Sequence, residues 1–190
     1  MYPDNFFDLI HSRHLAQSIK DWEAYIRRIY RCAPPPPPAR LLTPPAARHT
    51  KPGGFVELQE FNLGELHADD GSYTPATAVH RWLRHFVAAA ALAGMPDPCA
   101  RFEGWVRAAG FVDVAVTRFK TPWAVWDNLT EPKLREVGRL IRLNSVSGFE
   151  AYGLALFYRY SGLSPEDGRR ICDEATQELM EGNVHVYTHQ

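Results

Sequence analysis

The stretch that most constrains this chain is residues 51–61, KPGGFVELQEF. Its PGG tripeptide predicts a turn, because proline pre-sets one φ angle and glycine tolerates a positive φ. Residues 55–58 predict a short buried strand of β-favoured apolar residues. The stretch then becomes polar at Glu57, Gln59 and Glu60. Ligands of open α/β sheets lie outside the carboxyl ends of strands, so this change predicts a ligand crevice, with simple surface solvation as the alternative.

Two segments before this stretch complete a strand–helix–strand pattern. Residues 6–10 (FFDLI) predict a strand that runs into the polar residues 11–14. An amphipathic helix of about three turns should start near Ser18, because apolar residues recur there at helical spacing. These residues are Ile19, Trp22, Ile26 and Ile29. The order of elements predicts a βαβ unit with a right-handed crossover.

The middle of the chain continues this α/β pattern. Residues 75–93 predict a helix with an apolar stripe of Val79, Trp82, Leu83, Phe86, Val87 and Ala90. A second short helix should end at Gly110, a position that favours a left-handed residue. Its apolar residues are Phe102, Trp105, Val106 and Ala109. Residues 111–119 (FVDVAVTRF) alternate as a half-buried strand does.

The C-terminal third is predicted to be mainly helical. One helix is marked by Leu134, Val137, Leu140 and Ile141, and residues 149–160 predict another that is rich in aromatic side chains. A further helix should begin after Ser164, an N-cap that is followed by proline and two acids, and it should stop at Gly182. Residues 184–187 predict a last short strand.

Composition indicates a soluble intracellular protein, cytoplasmic or nuclear. The 190 residues fit one domain, and 45% hydrophobic content can form a real core. A net charge of −1 argues neither for nor against a nucleic-acid partner. The three cysteines are widely spaced, which favours reduced thiols over a disulfide framework. The N-terminus shows no signal-peptide pattern. The longest apolar run, residues 86–93, is too short to span a bilayer.

Residues 33–50 (APPPPPARLLTPPAARHT) interrupt the βαβ unit with seven of the fifteen prolines. Five consecutive prolines favour a polyproline II segment that pairs with neither helix nor sheet. We expect a disordered surface insertion within a single domain of residues 1–190. The alternative is a ligand for an SH3- or WW-type domain, with Arg40 as its charged flank.

The ordered segments FDLIHSRHL, SIKDW, KPGGFVELQEF and AGF-V-V resemble class I S-adenosylmethionine-dependent methyltransferases. More narrowly, the chain is similar to the LaeA-like fungal methyltransferases, relatives of a velvet-associated regulator of secondary metabolism. The resemblance covers nearly the whole chain outside the insertion. It implies an α/β fold with a partial Rossmann-like sheet, in which residues 6–10, 55–58 and 111–119 are the fourth, fifth and sixth strands under a helical C-terminal cover.

The resemblance also implies where a site would lie. Residues 11–18 would lie beside the methyl group of S-adenosylmethionine and the acceptor, with Ser12, Arg13 and Ser18 contacting the cofactor. The far side of the same pocket would be lined by Glu57, Gln59, Glu60, Trp123 and Trp126. His11 and His14 would be the candidate general bases, and ordinary loop histidines are the alternative. No further ligands stand near them in sequence, so we expect no metal site.

Two features depart from the family pattern. Relatives tend to have glycine where this chain has Gln17, so the backbone is not expected to approach a ligand as closely there. The family binds its cofactor with a glycine-rich loop after the first strand and an acid after the second, yet the sequence contains no GxG. The chain is therefore expected to begin at the fourth strand as a truncated form, with an exposed sheet edge that a protein partner or a second copy would cover.

These observations favour a methyltransferase family member that is inactive or incomplete as this chain. The alternative is a non-catalytic interaction module derived from that fold. A proline-rich adaptor would rest on residues 33–50 alone. We expect no nucleic-acid or membrane partner, and the sequence does not identify the methyl acceptor.

Overall fold

The computed structural model describes residues 6–30, 50–95 and 97–190. Helices and two small sheets together make a mixed α/β protein. Its elements are β1 (Phe7–Arg13), α1 (Trp22–Tyr30), β2 (Thr50–Gln59), α2 (Ala78–Leu92), α3 (Phe102–Ala109), β3 (Lys120–Pro122), α4 (Pro132–Leu156), α5 (Pro165–Glu181) and β4 (Tyr187–His189).

The chain divides into two compact units, each described by itself. The strand unit contains Met1–Glu60 and Pro98–Thr117, and the helical unit contains Phe61–Asp97 and Arg118–Gln190. Among the described helices, none has both the length and the apolar character needed to cross a bilayer. Of the proline-rich insertion predicted at residues 33–50, only Thr50 falls within the described residues.

The sheet of the strand unit consists of β1 and β2 in parallel. Leu9 pairs with Phe55 and Arg13 with Gln59, but Phe7 pairs with Thr50, so residues 51–54 bulge out of the ladder. The prediction of a turn at the PGG tripeptide is therefore wrong, because these residues form a bulge inside β2. Gly53 has the positive φ of 78° that the prediction required. The strand also begins five residues earlier than predicted.

Residues 55–58 were predicted to be buried, and the structure contradicts this. The sheet has a covered face, where Leu58 packs against a core of Trp22, Ile26 and Val106. On the other face Phe55 is 72% exposed and its neighbour Leu9 is 54% exposed. The alternation of side chains along each strand explains the difference, because α1 and α3 cover only one face.

Helix α1 begins at Trp22 instead of near Ser18. Asp21 fixes this start, because its carboxylate accepts a 2.8 Å hydrogen bond from the Ala24 amide as an N-cap does. Trp22, Ile26 and Ile29 are buried as the spacing predicts. Helix α3 ends as predicted at Gly110, which has a φ of 111°.

The strand predicted at residues 111–119 is wrong. The described structure has a three-residue strand at Lys120–Pro122, and its partner is β4. Asp113 has a positive φ of 53°, which interrupts an extended segment. Val112, Val116 and Phe119 are all more than half exposed, whereas Phe111 and Val114 pack against the core of the strand unit, so the apolar side chains of the segment are only partly covered.

The helical unit packs α2, α4 and α5 around one apolar core. Trp82 stacks on Phe86 and meets Phe149 and Phe157 edge-on. Residues 134–141 and 149–160 were predicted to form two separate helices, and this prediction is wrong. Helix α4 is continuous over 25 residues and passes into a π-helical turn at Phe157–Ser161. Leu140, predicted on its apolar stripe, is exposed.

The remaining predicted elements lie within a few residues of their expected bounds. Helix α2 is capped by Thr77, and its stripe is buried as predicted except at Val87. Ser164 caps α5, accepting a 3.0 Å hydrogen bond from the Asp167 amide, and Gly182 ends the helix as predicted. The last strand is Tyr187–His189 instead of residues 184–187.

Candidate functional site

The carboxyl ends of β1 and β2 place polar side chains of both strands at one edge of the strand unit. His11 pairs with Glu57 in the parallel register, and its Nδ1 lies 2.8 Å from the Glu57 carboxylate. Arg13 pairs with Gln59 one step further along the same face. These side chains form the strand-end cluster: His11, Ser12, Arg13, His14, Glu57, Gln59 and Glu60. The predicted proximity of the two strand ends is therefore found.

Two members of the strand-end cluster are buried on the covered face. Glu60 is 7% exposed, and its carboxylate accepts a hydrogen bond of 2.5 Å from the Leu15 amide. Ser12 is 2% exposed, and its hydroxyl has no hydrogen-bond partner among the described residues. Because a buried hydroxyl without a partner is costly, Ser12 has hydrogen-bonding capacity that the described residues do not use.

His14 ends β1 in a strained conformation. Its φ is 52°, which few non-glycine residues adopt, and its amide donates to the Gln59 carbonyl at 3.0 Å. Desolvation of its ring and, to a smaller extent, the Arg13 guanidinium lower the pKa of His14. A histidine with a lowered pKa is neutral at pH 7 and is able to accept a proton.

We expect the His14 ring to titrate below the ordinary histidine value of about 6.5. Proton NMR across a pH series, assigned with a His14→Gln variant, measures this directly. Arg13→Gln should raise the His14 pKa part of the way, because the guanidinium is the smaller of the two causes. Lys20→Gln removes a charge that does not contribute and should leave the titration unchanged. A wild-type midpoint at or above the ordinary value would contradict this assignment.

Ser18, the other predicted cofactor contact, lies in the turn between β1 and α1. Its amide donates to the Leu15 carbonyl at 2.8 Å, and the residue is exposed. The turn leads from the strand-end cluster into Trp22, the first residue of α1. Ser18 is thus four residues beyond the end of the cluster, and its predicted role stays a prediction.

The two predicted pocket tryptophans belong to the helical unit. Trp123 is 9% exposed and packs in the core against Phe149, with ring centroids 6.1 Å apart. Trp126 stacks on the His185 ring at 5.3 Å. A pocket that they share with the carboxylates of the strand unit stays a prediction.

Sequence reasoning missed the polar cluster of Asp70, Ser72 and His185, in which His185 stacks on Trp126. His185 contacts the Asp70 carboxylate through Nδ1, and its amide donates to the Ser72 hydroxyl at 2.9 Å. The pKa of Asp70 lies well below its usual range, first because Ser72 donates to the carboxylate and then because of His185. The carboxylate orients the imidazole, as in many histidine sites. Asp70 and His185 are 115 residues apart, so no local pattern could have joined them.

The helical unit also contains an apolar cavity of about 110 Å³. Core aromatic side chains form its inner wall, and one face of α4 forms its outer part. The lining residues are Phe61, Leu63, Trp82, Trp123, Ile141, Asn144, Ser145, Gly148, Phe149 and Tyr152. Trp123, which was predicted to line a pocket, lies in this wall. The other lining residues were not predicted, because a cavity depends on how helices meet in space.

No protein-family model matches the chain. Over 181 residues it is 33% identical to the methyltransferase pytC of Aspergillus terreus, covering 95% of this chain and 50% of that protein. It is 28% identical over 137 residues to the probable methyltransferase tdiE of Emericella nidulans, covering 72% and 42%. It is 27% identical over 187 residues to the secondary metabolism regulator LAE1 of Cochliobolus heterostrophus, covering 97% and 54%.

Two of these three relatives are named methyltransferases, and the matches extend over most of the chain. These similarities support the family that the sequence predicts, the LaeA-like fungal methyltransferases. The chain spans about half the length of the curated relatives that it matches.

Proposed function

We propose that the protein is related by descent to methyltransferases that use S-adenosylmethionine. In this proposal its strand-end cluster lies beside the methyl group of the bound cofactor. The observation that carries this proposal is the parallel pairing of β1 and β2, which brings His11 opposite Glu57 at the carboxyl edge. Ligands of parallel α/β sheets occupy this edge. In the proposed fold, β1 and β2 are the adjacent fourth and fifth strands of a Rossmann-like methyltransferase sheet.

The residues of the strand-end cluster fit parts of this chemistry. Methyl transfer from a sulfonium is an in-line displacement that depends on orientation, and some acceptors need a general base. His14 is the best candidate base, because its lowered pKa keeps the ring neutral at pH 7. Among the described residues the buried Ser12 hydroxyl has no hydrogen-bond partner, and a ligand would supply one. S-adenosylmethionine would supply the methyl group.

The cluster can be tested by amide NMR at millimolar S-adenosylmethionine, where weak contacts still shift resonances. We expect shifts at residues 11–18 and 57–60, with ATP as a control ligand that has the adenosine but no sulfonium. Equal shifts with ATP, or shifts that leave the strand-end cluster untouched, would contradict the assignment.

We further propose that this chain alone has negligible methyltransferase activity. Glycines normally let the backbone approach the cofactor, and an acid normally holds the ribose hydroxyls. The sequence has no GxG motif, so it lacks the glycines that would let the backbone approach the cofactor. Assays with methyl-labelled S-adenosylmethionine and a cell extract as the acceptor source should therefore show no transfer above the no-enzyme blank. Robust turnover by the pure monomeric chain would overturn this proposal.

The exposed face of the sheet favours a second candidate function, a non-catalytic interaction module. Leu9 and Phe55 are neighbours across the ladder, and both are more than half exposed. Two adjacent exposed apolar side chains on a sheet are typical of a surface that another protein or a second copy covers. In this reading the family fold is kept and catalysis is lost.

Sedimentation velocity tests the second-copy form of this alternative. The wild-type chain should self-associate, and Phe55→Glu should make it monomeric. Val112→Glu is the matched control, because Val112 is 80% exposed in the same unit but lies outside the sheet. A monomeric wild type, or equal effects of the two variants, would contradict self-association through this face.

A further inference from the structure

We propose that the cavity of the helical unit is a binding site for a single aromatic ring that carries one polar substituent. This inference does not depend on the proposed methyltransferase origin, because every residue it uses belongs to the helical unit. It concerns the cavity bounded by Trp82, Trp123, Phe149 and residues 144–148 of α4.

The inner walls of the cavity are rigid aromatic surfaces. Trp82 and Phe149 meet edge-on at 4.9 Å between ring centroids, and Trp123 is tilted by 47° against Phe149. All three side chains are at most 9% exposed. Rings at these different angles present both faces and edges to an occupant, which are the two contacts that aromatic pairs prefer.

Two polar groups of these walls are already engaged within the protein. The Trp82 indole N–H donates to the Phe149 carbonyl at 3.0 Å, and the Ser145 hydroxyl donates to the Ile141 carbonyl at 2.9 Å. The walls therefore offer mainly carbon to an occupant. An enclosed apolar cavity of about 150 Å³ is known to bind benzene. At about 110 Å³ and open to solvent, this cavity suits one ring of that size.

The mouth of the cavity supplies the polar end of the site. Asn144 is exposed there, one turn of α4 before Gly148, so its amide can contact a substituent that points outward. Gly148 keeps the mouth open because it has no side chain. A Cβ at this position would lie at an ordinary 3.9 Å from the Asn144 amide nitrogen, so a Cβ is accommodated there without a clash.

The test uses phenol as the ligand and Gly148→Met as the blocked variant. Saturation-transfer NMR should show saturable phenol binding to the wild type, weakened at least about tenfold in Gly148→Met, which corresponds to about 1.4 kcal/mol. Ser147→Met adds the same side chain at the neighbouring exposed position, which is outside the cavity lining, and should bind like the wild type. Circular dichroism checks that both variants are folded.

Two further comparisons test the chemical class of the ligand. Asn144→Ala should weaken phenol and leave toluene unaffected, whereas equal effects on both would overturn the polar contact. Cyclohexanol, which matches phenol in size but lacks the aromatic ring, should bind more weakly, and equal affinity would overturn the aromatic assignment. Absence of saturable phenol binding, or unchanged binding in Gly148→Met, would overturn the site itself.

Discussion

Trp82→Ala is expected to destabilise the helical unit by about 3–5 kcal/mol, the range for truncating a buried aromatic residue. The Trp82 side chain is 3% exposed and contacts three aromatic rings of the core. Its indole N–H also donates a 3.0 Å hydrogen bond to the buried Phe149 carbonyl, and this donor would be lost. The loss therefore combines a cavity with a weakened buried hydrogen bond.

Urea unfolding followed by far-UV circular dichroism measures this effect. Trp82→Phe keeps most of the ring contacts but removes the N–H, so it should cost less, about 1–3 kcal/mol. Trp126→Ala is a control in the same unit, since Trp126 is only partly buried and stacks on one histidine ring. It should cost about 1 kcal/mol, as typical substitutions do. An equal or greater loss in Trp126→Ala than in Trp82→Ala would contradict this description of the core.

Gly138→Ala is expected to destabilise the protein by about 2–3 kcal/mol through overpacking. A Cβ at position 138 would lie 2.3 Å from the Ala124 carbonyl oxygen and 3.0 Å from its carbon. Both atoms belong to the backbone, so the clash cannot be relieved by rotating a side chain. Helix α4 would have to move away from the segment that follows β3.

Gly148→Ala provides the matched control on the same helix. Its Cβ would meet one side-chain atom at an ordinary 3.9 Å. Alanine is preferred over glycine in helix interiors by about 1 kcal/mol, so this variant should be neutral or slightly more stable. Parallel urea titrations of the two variants should give changes of opposite sign or clearly different size. A stable Gly138→Ala protein would show that Gly138 is not a close-packing position.

Elements with local end signals were predictable from the sequence. Ser164 and Gly182 set the ends of α5, and Gly110 sets the end of α3, because capping depends on a few adjacent residues. The spacing of apolar residues also identified the buried faces of α1 and α2. These signals are short-range, and tertiary contacts did not override them.

Features that depend on tertiary packing were not predictable. The glycines and serines near residue 148 favour a break in α4, yet the helix continues because Phe149 and Gly153 pack against Trp82. Residues 55–58 have the composition of a central strand, but burial depends on which layers cover the sheet. Residues 111–118 likewise alternate as a strand does but have no partner strand among the described residues, and only Phe119 pairs, with Gln190.

Part of the candidate site was also predictable from the sequence, and part of it was not. Parallel strands bring their carboxyl ends to one edge, so the proximity of His11 and Glu57 followed from the βαβ pattern. No sequence pattern predicts the strained φ of His14 or the burial of the Ser12 hydroxyl. The Asp70–His185 contact and the aromatic cavity join residues from distant segments, and only a three-dimensional structure brings them together.

The most direct test of the central claim is calorimetric titration of the purified chain with S-adenosylmethionine. Circular dichroism and sedimentation should first establish that the protein is folded and define its oligomeric state. The claim that this chain carries the methyltransferase family fold without a complete cofactor site predicts no saturable binding in the micromolar range. Micromolar binding by the folded chain would contradict it, and would show that other residues hold the cofactor in place of a glycine-rich loop.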